Sequence, residues 1–250
     1  MINSNPMFTN VETSSCYVSE DTATYQGITL KTLLLLGITG IAGILSGIFM
    51  YKLNSIAIYS VALVISFIVG LVAVIIGRSN PKAAEGAGII YSLCEGVALG
   101  MITLLADLAY NGIGVIAVAT TIVIFVVCLA LFASGALRNT NKLRSVAILI
   151  LCSIVAVSLV LLVLSLFNIA GSQETIKSHM SLLILIEVLY VMYGCTMLFF
   201  NFDEAVTYVK SGATKEFEWV AAFGLILSIL YIYVEVLRLL IYIMSIMHKD

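Results

Sequence analysis

Seven stretches of this 250-residue chain are long and apolar enough for a helix to cross a hydrocarbon layer. They run over residues 31–50, 56–76, 86–108, 112–136, 145–167, 180–200 and 219–247. A spanning helix needs about 20 apolar residues, and each stretch meets that length. The alternation that marks a membrane β-barrel is absent, which leaves an all-α bundle of seven transmembrane helices. The whole chain agrees: 62% of it is hydrophobic and 10% charged, where a soluble domain carries about 25% charged residues. The connections are short, so residues 27–250 are expected to form a single seven-helix domain. Residues 1–26 are rich in Ser, Thr, Asn and acids and read as a disordered tail. The polar start, Met1-Ile2-Asn3-Ser4-Asn5-Pro6, does not read as a cleavable signal peptide. No internal repeat of the inverted-transporter kind is visible.

Lys and Arg in the loops set the orientation. One side holds Lys31, Arg78, Lys82, Arg138, Lys142, Arg144, Lys210 and Lys215; the other holds only Lys52, Lys177 and Lys249. The excess places the N-terminus in the cytoplasm. Gly37, Gly40, Gly43 and Gly47 share one face of the first span, a small-residue surface for close helix packing within the bundle or, alternatively, between two copies.

Several function classes fall away. A net charge of −2 without a basic stripe does not suit nucleic acid. Four of the five cysteines lie in apolar runs and none forms a CxxC pair, so they read as small core residues. There is no HExxH, GxSxG, P-loop or Cys/His metal spacing. No enzyme activity and no cofactor are expected.

What remains is a set of acids inside apolar runs. A carboxylate at that depth costs roughly 2.5–3.5 kcal/mol even on lenient insertion scales, and intramembrane ionisable groups are functional by default. Glu235 lies in the seventh run with Arg238 three residues on, sharing its face. The two form either an internal ion pair or a titratable gate in which Arg238 holds Glu235 until a proton or cation competes. Glu95, roughly 14 Å into the third run, is flanked by Gly96 and Gly100; it serves either as a hydrogen bond to a neighbouring helix or in conduction. Glu187 lies in the sixth run with no partner on its own helix face. Asp203 ends that run, either buried or at the interface, and Asp107 ends the third and is expected to face water.

Four segments, in order, resemble the bacterial branch of the Bax inhibitor-1 membrane family. They are Thr24-Tyr25-Gln26-Gly27-Ile28-Thr29-Leu30-Lys31-Thr32; Arg78-Ser79-Asn80-Pro81-Lys82 followed by the run from Tyr91 through Glu95 and Gly96 to Gly100; the basic loop from Leu137 to Arg144; and Glu218-Trp219-Val220-Ala221-Ala222-Phe223-Gly224 followed by Tyr233-Val234-Glu235-Val236-Leu237-Arg238. The resemblance spans residues 24–245. It implies a seven-helix bundle with one enclosed span and a pH-sensitive calcium leak gated by acids of the sixth and seventh spans. Glu235 takes the seventh-span acid position. In the sixth span the family commonly shows Asp-Phe-Asp where this chain has Asn201-Phe202-Asp203, so the sensor falls either on Asn201, which cannot titrate, or on Asp203. If both helices ended at Gly212, Asp203 and Glu235 would differ in depth by roughly 21 Å, so their contact requires a cytoplasmic start to the seventh span.

The expectation is an integral protein of the bacterial plasma membrane that leaks calcium, with gate residues Glu235, Asp203, Asn201 and Arg238. Glu95 and Glu187 are further intramembrane acids, and passing calcium is expected to dwell at Glu235, Asp203 and Glu95. Lipid, calcium and protons are the expected partners. The alternatives are a proton-coupled secondary transporter, or a scaffold or quality-control factor without transport.

Overall fold

The computed structural model describes residues 22–53, 56–134 and 180–247, together with Ser145, Leu149 and Ser153. Six long helices carry the architecture: α1 (Tyr25–Leu53), α2 (Ile56–Ser79), α3 (Ala84–Ala109), α4 (Ile113–Ala133), α5 (Met180–Lys210) and α6 (Glu216–Met247). All six are long and apolar enough to cross a membrane. Helices are the answer physics requires here, because apolar surroundings offer backbone N–H and C=O groups no partner outside the segment. Among the described residues there is no strand, only one isolated bridge between Thr22 and Thr214. The fifth expected run, 145–167, lies outside the described residues apart from Ser145, Leu149 and Ser153, which are helical.

Local chemistry sets the turns. Between α2 and α3, Asn80 Oδ1 accepts from Lys82 N at 3.1 Å and caps a 3-10 turn, Pro81–Ala83, that opens on proline. Between α3 and α4, Gly112 takes a left-handed φ of 84°. There Asp107 Oδ1 accepts from Gly114 N at 2.8 Å. Asp107, half-buried, thereby holds an otherwise orphaned donor in the first turn of α4.

α6 is the axis of the bundle. In its most apolar window 78% of residues are buried, against 17–33% in the other five helices. It packs against α1, α3, α4 and α5 and touches α2 and the 3-10 turn. A helix that is apolar all round belongs inside, and Ala221 through Ile226 are all buried. α1 packs closely on α3. A side chain at Gly96 would meet the Thr39 carbonyl, and one at Gly100 would meet the Gly43 carbonyl. Ser46 Oγ donates across this contact to Val97 O at 3.2 Å. Gly43 and Gly47 therefore serve packing inside the bundle, whereas Gly37 and Gly40 have open space beside them.

Two expected boundaries move. α5 continues ten residues past the apolar run, because Phe202 and Ala205 keep an apolar stripe against the bundle. Two polar side chains of that extension bond within α5: Thr207 Oγ1 donates to Asp203 O at 2.8 Å, and Tyr208 OH to Glu204 Oε1 at 2.6 Å. The expected tail of residues 1–26 is ordered over residues 22–26, since Ala23 N donates to Ala213 O at 2.7 Å in the α5–α6 turn and α1 already begins at Tyr25. Residues 1–21 lie outside the described residues. The pairing puts the start of α1 and the α5–α6 turn on one face of the bundle, here called the N-terminal face.

Candidate functional site: a guanidinium between two buried carboxylates

α5 and α6 form an antiparallel hairpin, which brings Glu187 of α5 level with the C-terminal half of α6. Arg238 Nη1 lies 3.2 Å from Glu235 Oε2 and 3.5 Å from Glu187 Oε1. One nitrogen thus faces both acids. The carboxylate side chains are 5% and 6% exposed, whereas that of Arg238 is 44% exposed. The guanidinium reaches in from an exposed edge of the bundle, and it also lies 6.0 Å from the ring centre of Tyr190. Counting from Glu216, Glu235 is about 28 Å along α6, and about 18 Å from its other end.

The hydrogen bonding is incomplete. Glu187 Oε2 and Glu235 Oε2 are buried without a hydrogen-bond partner. The 3.2 Å approach of Arg238 to Glu235 Oε2 is therefore an ion-pair contact whose angle does not make a hydrogen bond. Buried carboxylate oxygens in that condition are costly. They are also acceptors with capacity to spare for a proton or a hard cation, which prefers oxygen ligands.

The residues singled out from the sequence separate into three places. Glu235, Arg238 and Glu187 come together, so Glu187, unpartnered on its own helix, finds its counter-charge on the next one. Asn201 is buried elsewhere: its Nδ2 donates to Ser228 Oγ at 2.5 Å. Gly224 makes room for this pair, since a Cβ there would stand 2.7 Å from Asn201 Oδ1 and 3.9 Å from Arg78 Nη2. Asp203 is half-buried and sixteen residues beyond Glu187, about 24 Å along α5. α6 is helical from Glu216 onward, so the depth difference noted from the sequence stands and Asp203 is not brought to Glu235. Glu95 is half-buried on α3 beside Tyr91 and Cys94 and makes no hydrogen bond or ion pair among the described residues. No group of three or more His, Cys, Asp and Glu is placed to hold a metal ion among the described residues.

Sequence reasoning missed one site altogether. Glu218, in the first turn of α6, is buried at the N-terminal face. Its Oε1 accepts from Thr24 N at 2.8 Å and Thr24 Oγ1 at 3.0 Å, and its Oε2 pairs with Lys31 Nζ at 2.8 Å. Lys31 also donates to Lys215 O at 3.3 Å and lies 4.8 Å from the Trp219 ring centre. Gly27 leaves the space, because any side chain there would occupy the carboxylate's position. Gly27 and Lys31, one turn apart on α1, were the available signal, but their target is nearly two hundred residues away.

An all-helical bundle with an enclosed axial helix and an acid–base cluster within it defines the class: an integral membrane protein with buried ionisable groups. The chain matches the Bax inhibitor 1 like family over residues 5–245, and it belongs to that family. No curated protein and no solved structure matches it.

Proposed function

We propose that the chain is a calcium-permeable leak channel of the bacterial plasma membrane, closed by the Glu187–Arg238–Glu235 cluster and modulated by protons. The observation that carries the proposal is one guanidinium shared by two buried carboxylates, each with an oxygen left unbonded. With both acids charged, Arg238 clasps α5 to α6. A proton on either carboxyl removes half of that attraction, and a calcium ion competes with Arg238 for the same oxygens. Glu95, and Asp203 nearer the N-terminal face, are offered as further oxygen ligands along the ion's route. Asn201, hydrogen-bonded to Ser228, contributes a neutral contact beneath the gate rather than a titrating one.

The membrane setting supports a seven-span arrangement with a cytoplasmic N-terminus. Lys31, Arg78, Lys82, Lys210 and Lys215 lie toward the N-terminal face, and Lys52 toward the other. α4 ends on the N-terminal face while α5 begins on the far one, which favours a further crossing by the apolar run at 145–167. The test is calcium flux into liposomes at two pH values. Glu235→Gln is expected to change the flux and flatten its pH dependence; an unaltered profile would remove the gate from this cluster.

A second reading, a proton-coupled transporter, is favoured by a different observation. A cavity of about 710 Å³ opens between α1, α3, α4 and α6, lined by Gly40, Gly43, Thr103, Thr121, Asp107 and Tyr233 among others. Tyr233 OH and Thr103 Oγ1 are 2.6 Å apart at its wall. Such a space is far larger than a bare ion needs. Solute uptake driven by a pH gradient, without calcium permeation, would select this reading.

A further inference from the structure

The cavity between α1, α3, α4 and α6 has no part in the gate. It extends along α1 from Leu36 to Ile48, about 18 Å of helix. Gly40, Gly43 and Gly47 of α1 and Gly100 of α3 line it, so its floor is backbone rather than side chain. Nothing lies within 4 Å of the place a Cβ would take at Gly40. Aliphatic residues such as Ile44, Leu99, Leu104, Val118 and Ile229 make most of the remaining wall. Small-molecule sites share this build: a concave apolar space with a few placed polar groups.

The polar groups gather at one end. Thr103 and Asp107 are four residues apart on α3 and share a face. Asp107 Oδ1 accepts from Gly114 N, and a Cβ at Gly114 would stand 2.5 Å from the Thr103 methyl and 3.3 and 3.4 Å from the two Asp107 oxygens. The carboxylate therefore lies beside Thr103, whose Oγ1 is 2.6 Å from Tyr233 OH. This end is close to where α3 stops at Ala109, away from the N-terminal face. Asp107 is the only charged residue among those lining the cavity, and among the described residues its Oδ2 has no hydrogen bond or ion pair.

We propose that this cavity binds an amphiphilic organic cation, a protonated primary amine carrying one apolar chain. An ammonium brings three donors. One meets Asp107 Oδ2, and the others meet the oxygens of Thr103 and Tyr233. The chain lies along the glycine floor toward Leu36. The walls select for this occupant. An anion finds no Lys, Arg or His among the lining residues. A neutral chain would cover the carboxylate without pairing it, which is costly. A bare calcium ion needs about six to eight oxygens and finds one carboxylate among aliphatic walls. The site gives the transporter reading above its class of solute. It rests on that reading only for movement of the amine across the membrane; binding stands on the cavity alone.

The full chain in detergent is titrated with dodecylamine, dodecanol or dodecanoate, and the adducts are read by native mass spectrometry. The amine is expected to bind at least about tenfold more tightly than the alcohol or the carboxylate, the factor a hydrogen bond to a charged group is worth. This wild-type series depends on no variant folding. Asp107→Asn keeps an oxygen for Gly114 N but loses the charge, and should lower amine affinity to that of the alcohol. Gly40→Leu fills the floor and should abolish the amine adduct. Equal affinity for the three amphiphiles overturns the cation assignment. Amine binding that survives both substitutions overturns the placement in this cavity. Selective binding without amine uptake into liposomes under a pH gradient overturns the transporter reading and upholds the site.

Discussion

Two buried acids on α6, Glu218 and Glu235, are each 4% exposed, yet they are built in opposite ways. They stand seventeen residues apart, about 26 Å along one helix. At Glu218 both oxygens are answered: Thr24 donates twice to one, and Lys31 pairs with the other at 2.8 Å. The acid has a cation to itself. At Glu235 the cation is shared with Glu187, the contact is looser at 3.2 Å, and an oxygen is left unbonded. A fully satisfied buried network makes a rigid clasp, and a partly satisfied one keeps a cost that another proton or cation can relieve. The N-terminal clasp fixes α1 and the α5–α6 turn to the axial helix. The second cluster leaves an oxygen of each carboxylate unbonded.

The widest gap between the two ends is expected from the same substitution made at each. Glu218→Gln removes the counter-charge of Lys31 and turns an amide donor toward either Lys31 or the Thr24 N–H. Loss of a buried, hydrogen-bonded pair of this kind costs about 3 kcal/mol. Glu235→Gln leaves Arg238 its pairing with Glu187 and is expected to cost on the order of 1 kcal/mol or less. Thermal unfolding in detergent reads both; equal losses would erase the distinction drawn between clasp and gate.

Gly27→Ala attacks the clasp from the other helix. The new methyl takes the space of the Glu218 carboxylate, and overpacking of this kind costs roughly 1–3 kcal/mol. Gly37→Ala, on the same helix with open space beside it, is the control and should be neutral or slightly stabilising. The same unfolding measurement separates them, and a harmless Gly27→Ala would mean the carboxylate is not held where its three contacts place it.

How far these sites were legible follows from the range of the interactions that make them. The six described helices could be read directly, because each is written as one contiguous apolar run whose length alone decides its fate. The resemblance implied one enclosed span without saying which; α6 fills that place, where Ser228 is the only polar side chain from Ala221 to Leu230. The Glu235–Arg238 contact was legible because it is three residues long. Glu187 was found as an anomaly but not matched, since its partner depends on the register of the α5–α6 hairpin. That register was obscured by the helical extension of α5 to Lys210, whose polar composition reads as the end of a span. Glu218 was missed because its burial comes from Thr24 and Lys31, at the opposite end of the chain. Asp203 shows the converse: the family resemblance made it a candidate gate acid, and only the continuous helix from Glu216 onward fixes its distance from Glu235.

Between the two acids, Ser228→Ala probes a neutral pair. Asn201 Nδ2 loses its acceptor while buried, which costs about 1–2 kcal/mol. The loss should be the same at acid and neutral pH, because neither partner titrates. A pH-dependent loss would draw Arg78 or a nearby acid into the pair and blur the boundary between gate and scaffold.

The smallest effect on stability, and the most telling for the comparison, is expected from Glu187→Gln. It removes one of two carboxylates competing for Arg238 and leaves Glu235 and Arg238 in a one-to-one pair, the balance already found at Glu218 and Lys31. The amide keeps the shape of the side chain, so unfolding should change by no more than about 0.5 kcal/mol. Calcium flux should change far more. With charges balanced, a proton no longer relieves a surplus acid, and the flux of the variant in liposomes should lose much of its dependence on pH while Arg238 still closes the path. A variant that keeps the wild-type pH profile would show that Glu187 is a bystander, and would reduce the gate to the local pair on α6.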